Sequence, residues 1–110
     1  MNEQVNQTYD KLTKAFDYNA LLQRLQTCEK VNYFLLNIDN FSNINDAYGY
    51  ETGDEALLQV ASFINMVKPK TSTLYRFNSD KFVLIDESSF SKEDIEHIAN
   101  SILSFFLIVI

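Results

Sequence analysis

The chain has 110 residues, 46% of them hydrophobic, enough for one core and not for two. Fifteen acidic against nine basic residues give a net charge of -6, which repels phosphate backbones and anionic membrane surfaces and sets nucleic acid aside as a partner. Its single cysteine, Cys28, can build neither an intrachain disulfide nor a Cys-based zinc site. The N-terminal MNEQVNQTYDK lacks an apolar signal core and no apolar run approaches the ~18 residues of a membrane span, so a cytoplasmic protein without membrane insertion is expected. The bulk charge still allows a nucleotide to be held locally, through backbone N–H groups or a metal.

Residues 3–27 carry apolar side chains at Val5, Tyr9, Leu12 and Phe16, then at Leu21, Leu22 and Leu25, spaced by three and four with a break around Asp17. That spacing predicts two helical pieces with Asp17 capping the second, so residues 1–30 form an N-terminal helical segment ahead of a sheet-and-helix core at 31–110. Tyr33 to Ile38 is a short apolar run that stops at Asp39 and Asn40, which suits a buried central strand. Asn45, Asp46, Gly49, Gly53 and Asp54 read as a polar turn just past that strand, where sheets covered by helices bind ligands. Asp54 then caps or leads a helix with one apolar stripe, Leu57, Val60, Ala61, Ile64 and Val67, ended by Lys68, Pro69 and Lys70.

Two more apolar runs, Thr73 to Phe77 and Phe82 to Ile85, flank Asn78, Ser79, Asp80 and Lys81, a hairpin composition in which Asn78 can take the positive φ usually left to glycine. Ser91 and Asp94 resemble a capping box ahead of the stripe Ile95, Ile98, Ala99, Ile102 and Leu103, with His97 on the polar side of that helix. The last residues, SFFLIVI, are apolar and β-prone; either they close the sheet in a βαββαβ ferredoxin-like order or they belong to a longer fold cut short. No repeat, low-complexity tract or linker divides the chain. The expected class is α/β in its α+β form, a mainly antiparallel sheet with helices on one face and extra N-terminal helical turns.

Three motifs in order carry a family resemblance. NIDNFSNINDAYGYETGDEALLQV resembles the D-x-D-x-F-K-x-I-N-D-x-x-G-H-x-x-G-D-x-x-L segment of GGDEF domains, the diguanylate cyclase family. RFNSDKF falls where that family has R-Y-G-G-D/E-E-F, and DKLTKAFDYNAL is similar to its D-x-L-T-G-L-x-N-R opening. The resemblance spans roughly residues 10 to 104 and implies a single, C-terminally short GGDEF-like domain with the nucleotidyl cyclase type of ferredoxin-like sheet. It also implies a chemistry in which two GTP molecules, one on each half of a dimer, are joined into cyclic di-GMP with two divalent metals. Carboxylates serve that chemistry because hard cations such as Mg²⁺ take oxygen ligands.

By the resemblance, Asn45 and Asp54 match the positions that read guanine, and both residue types are kept. The structural alternative is that Asn45 supports the turn and Asp54 caps the helix. Asn37 stands where the first metal-binding aspartate belongs, a poorer ligand for a hard cation. Asp39 is the motif's second aspartate, Ile38 can offer its carbonyl, and Asp80 matches the signature's metal-binding acid. Asn78 and Ser79 replace the two glycines, and Lys81, followed by Phe82, replaces the catalytic glutamate. Lys81 then either offsets triphosphate charge in place of metal or is a salt-bridged or solvated hairpin lysine. Ser42 replaces a phosphate-contacting lysine, while Lys14 and Tyr18 replace the opening motif's glycine and arginine. The product-inhibition pair R-x-x-D would fall at Pro69 and Ser72 and is absent.

The departures cluster on the chemistry and spare the scaffold. They imply a degenerate GGDEF domain in cyclic di-GMP signalling that retains no catalytic residue, keeps at most a weak Mg²⁺ site at Asp80 and the Ile38 carbonyl with Asp39 as a further candidate, requires no cofactor, and serves as a regulatory, GTP-sensing or dimerisation module. Its expected partners are GTP and a second copy or a neighbouring signalling domain. The alternatives are an active diguanylate cyclase and a structural module paired with an EAL-type phosphodiesterase domain.

Overall fold

The computed structural model describes residues 8–27, 31–38, 41–103 and 107–109. In chain order come α1 (Tyr18–Thr27), β1 (Asn32–Ile38), α2 (Phe41–Tyr48), α3 (Tyr50–Val67), β2 (Thr73–Asn78), β3 (Lys81–Asp86), α4 (Lys92–Leu103) and β4 (Leu107–Val109). The four strands form one sheet in the order β2-β3-β1-β4, and every pairing is antiparallel. Strand β1 is therefore internal, with Leu35 opposite Val83 and Asn37 opposite Lys81 on one side and Leu36 opposite Val109 on the other. Within the apolar end, Leu107–Val109 closes the sheet as its fourth strand. This is the βαββαβ order of a ferredoxin-like fold.

Strand alternation divides the side chains between two covered faces. Phe34, Leu36 and Ile38 of β1 join Leu74, Phe82 and Leu84 on one face, packed by Leu57, Val60, Ala61 and Ile64 of α3, Phe41 of α2 and Ile98 of α4. Tyr75, Val83 and Ile85 point the other way and pack with Ala20 and Leu21 of α1. Helix α1 covers only part of its face. Beyond it an apolar groove of about 410 Å³ opens, lined by Leu21, Leu25, Tyr33, Leu35, Phe77 and Val83.

Three of the predicted helix ends are found with their hydrogen bonds. Asp17 Oδ1 accepts from the Ala20 N–H at 3.0 Å and so caps α1. Ser91 and Asp94 form a reciprocal capping box on α4, Asp94 N–H to Ser91 Oγ at 3.0 Å and Ser91 N–H to Asp94 Oδ2 at 3.2 Å. Helix α3 stops at Val67, and the Lys68 N–H still donates to the Ile64 carbonyl before Pro69. No helix among the described residues is long and apolar enough to cross a membrane.

Four local expectations are corrected. The first helical piece is not a helix over residues 8–17: the Asp10 carboxylate accepts from both the N–H and the hydroxyl of Thr13, and Lys14 sits at φ +67°. Such side-chain bonds compete with helix formation. The apolar spacing there serves a different purpose, since Tyr9 stacks on Phe16 and Phe16 packs on Tyr75. Phe16 also exchanges backbone bonds with Leu74 and Arg76, covering the edge of β2. The polar turn after β1 is largely helical: α2 fills Phe41–Tyr48, and a single residue, Gly49 at φ +91°, separates it from α3. Asp54 therefore lies inside α3 and caps nothing; Gly49 holds the N-cap position. Asn78 does not take a positive φ, because the turn is closed with a register irregularity between Arg76 and Asn78 instead.

Candidate functional site

The motif residues fall in two places, the corner where the β2–β3 turn meets the end of β1, and the α2–α3 pair that follows β1. Ser79 and Asp80 form the tip of the turn, flanked by the paired Asn78 and Lys81. The Asp80 N–H donates to Asn78 Oδ1 at 3.3 Å, and the Asp80 carbonyl accepts from the Ile38 N–H at 2.9 Å. That last bond fixes the turn against the end of β1. The Ile38 side chain is buried in the core, which leaves only its backbone to face the turn.

Arg76 anchors the same turn from the other side. Its guanidinium donates to the carbonyls of Asn78 at 3.2 Å and Ser79 at 3.1 Å, and to both Asp10 oxygens at 2.9 and 3.0 Å. Burial alone would raise the Asp10 carboxyl, but the Thr13 hydrogen bonds and the Arg76 charge outweigh it and hold it below its ordinary value. The opening motif and the signature are thus one hydrogen-bonded unit. Both residues lay within the quoted motifs, but sequence reasoning assigned no role to either. The forked donor chemistry of arginine beside an aspartate-bearing motif was the available signal.

Asn37 and Lys81 stand directly opposite each other across β1 and β3, so their side chains leave the same face of the sheet. Lys81 Nζ lies 3.3 Å from Asp80 Oδ1, with both side chains about one-third exposed (32% and 29%). Asn37 Oδ1 is buried without a hydrogen-bond partner among the described residues. The next pair on that face is Leu35 with Val83, which line the apolar groove.

Asn45 lies on α2 and Asp54 on the exposed side of α3. The Asn45 side chain lies against Gly53: a Cβ there would fall 1.7 Å from Asn45 Oδ1 and 2.9 Å from its Cγ. Glycine at 53 is thus required by close approach rather than by backbone conformation. Asn45 Oδ1 is also buried without a partner among the described residues, an acceptor left open to a donor.

A pair of hard divalent cations fits this donor set poorly. Asn37 contributes a neutral amide, Lys81 a positive charge, and Asp80 a carboxylate already ion-paired with that lysine. Among the described residues no three His, Cys, Asp or Glu side chains gather to hold a metal. Asp39 lies outside the described residues, as does Cys28. Ser42 and His97 are exposed, and Tyr18 packs edge-on against Phe77. At the product-inhibition positions, Ser72 is buried and donates to Asp86 rather than facing a ligand.

The family model described as diguanylate cyclase, GGDEF domain, matches residues 7–109. Among curated relatives, YtrP of Bacillus subtilis is 44% identical over 59 residues, covering 50% of this chain and 10% of that protein. The probable diguanylate cyclase DgcI of Escherichia coli is 37% identical over 79 residues, covering 69% of this chain and 18% of that protein. The chain therefore spans less than a fifth of either relative. The S helix-GGDEF-EAL portion of Vibrio cholerae LapD, solved bound to c-di-GMP, superimposes with a TM-score of 0.78 at 16% identity, over 92% of this chain and 27% of that one, a likeness of fold. With its three motifs brought to one corner of this sheet and the family model matched along nearly its whole length, the chain belongs to the diguanylate cyclase GGDEF domain family.

Proposed function

We propose that this chain is a GGDEF domain of cyclic di-GMP signalling that binds a guanine nucleotide without converting it to cyclic di-GMP, and that it regulates a second copy or a neighbouring signalling domain. The observation that carries this reading is the opposed pair Asn37 and Lys81. Where the family's chemistry needs two acids, the ladder sets an amide against an ammonium. Loss of a metal acid and of the catalytic acid each costs orders of magnitude in rate. The base-reading side is kept: Asn45 presents an unpartnered buried oxygen, and Asp54 an exposed carboxylate one helix away. A guanine edge offers donors suited to both. Regulation through a partner domain is in keeping with the LapD portion, in which a GGDEF domain is joined to an EAL domain.

Calorimetric titration with GTP, coupled to chromatographic assay for cyclic di-GMP, tests the reading. Saturable binding that Asn45→Ala and Asp54→Ala abolish, with no cyclic di-GMP formed by the parent chain, is expected. Turnover to cyclic di-GMP, or no saturable binding at millimolar GTP, would overturn it.

A further inference from the structure

We propose that the Lys81 ammonium takes the charge-neutralising place of a divalent cation at this turn, so that the chain binds guanosine triphosphate without Mg²⁺. The inference rests on the nucleotide reading above and adds how the triphosphate is held.

The family's pattern has acids at positions 37, 80 and 81. Here the same positions carry an amide, a carboxylate and an ammonium. Over these three positions the charge sums to zero, so phosphates brought there meet no cluster of acids that metal must first neutralise. Pairing across β1 and β3 puts Asn37 and Lys81 on one face, and Asp80 holds the ammonium at the tip of the turn at 3.3 Å. About one-third of the Lys81 side chain is exposed, leaving the ammonium within reach of an anion. Lysine binds phosphate as a compact point charge with three donors. The same charge repels a dication, and the Asn37 amide does little to attract one. Mg²⁺ bound to the free nucleotide would therefore compete with Lys81 for the same phosphate oxygens.

The test compares equilibrium binding of GTP, GDP and guanosine to the whole chain in Mg²⁺ and in EDTA. GTP is expected to bind at least as tightly in EDTA as in Mg²⁺. Lys81→Met should weaken GTP about tenfold, the order expected for one partly exposed charge pair, and leave guanosine unchanged. Lys81→Arg should retain most of the GTP affinity, and Lys81→Glu should make GTP binding depend on Mg²⁺. Melting curves of each variant check that the hairpin is intact. GTP binding that Mg²⁺ strengthens tenfold, or that Lys81→Met leaves unaltered, overturns this inference alone. Failure of both GTP and guanosine to bind overturns the nucleotide reading and this inference with it.

Discussion

Two residues separate the demands of the site from those of stability. Gly53 lies in α3, where alanine is intrinsically better by about 1 kcal/mol, yet an added Cβ would occupy the place of Asn45 Oδ1. Among the described residues that oxygen has no hydrogen-bond partner, so turning it away breaks no bond to it. Gly53→Ala is thus expected to leave the melting temperature within a few degrees of the parent while removing GTP binding; retained binding would mean that Asn45 does not read the base. Asp86 shows the opposite balance. Only 1% exposed, its carboxylate accepts from Thr71 Oγ1 at 2.6 Å, Ser72 Oγ at 2.7 Å and the Ser88 N–H at 2.8 Å. Burial pushes this carboxyl up, and the three donors more than offset it, holding it below the ordinary 3.8. A depressed carboxyl stabilises the fold fully above the unfolded chain's value and loses that contribution as pH falls through its own lower value. Urea denaturation from pH 7 to pH 2 should show stability falling below about pH 4. Asp86→Asn should cost about 2 kcal/mol at pH 7 and flatten the acid limb. An unchanged acid limb would assign the fall to other carboxylates.

At the scale of elements, the loop of residues 8–17 acts as a brace for the signature turn. Asp10 links the Thr13 N–H and hydroxyl to Arg76, which in turn holds the Asn78 and Ser79 carbonyls. The pair is partly buried, 18% and 20% exposed, so removing one member leaves the other short of partners. Asp10→Ala is expected to cost about 1–3 kcal/mol. It should also raise amide exchange at residues 78–80 more than in α3; equal protection at the turn would show that the brace does not hold it. This brace was not legible in the sequence. Val5, Tyr9, Leu12 and Phe16 have helical spacing, but over residues 8–17 the Asp10–Thr13 bonds and the left-handed Lys14 make a loop whose aromatic residues reach the sheet edge. Helix α2 was hidden for a different reason: it is eight residues long and buries only Phe41, too little to print a stripe. By contrast α3, α4 and the hairpin were readable, because long stripes, a capping box and paired apolar runs each state a period locally. Asn45, Asp80 and Lys81 were legible as matches to a family pattern, each by residue type alone. What lay beyond the sequence was contact: Asn45 against Gly53, Asn37 opposite Lys81, and Asp10 on Arg76.

For the whole molecule, the two apolar clusters share their strands. β3 sends Phe82 and Leu84 to the α3 face and Val83 and Ile85 to the α1 face, and β2 divides Leu74 from Tyr75 in the same way. A cluster cannot lose order on one side of such a sheet without loosening the residues that alternate to the other. Helix α1 is also tied at both ends, by Asp17 to the Thr8 segment and by Arg24 to Tyr75 Oη at 3.0 Å and Glu87 at 2.7 Å. The chain should therefore unfold as one cooperative unit rather than shedding α1 first. Leu21, 2% exposed at the centre of the α1 face, gives the sharpest test. Leu21→Ala should lower global stability by about 2–4 kcal/mol with one transition and an unchanged urea m value. Intrinsic fluorescence, in which Tyr9, Tyr18, Tyr33 and Tyr75 report on the α1 side while Tyr48 and Tyr50 are already exposed, should then change together with far-ultraviolet circular dichroism, to which the longer helices α3 and α4 contribute most. Two separated transitions, or a fluorescence change that precedes the loss of helix, would show instead that α1 and its cluster form an independent layer.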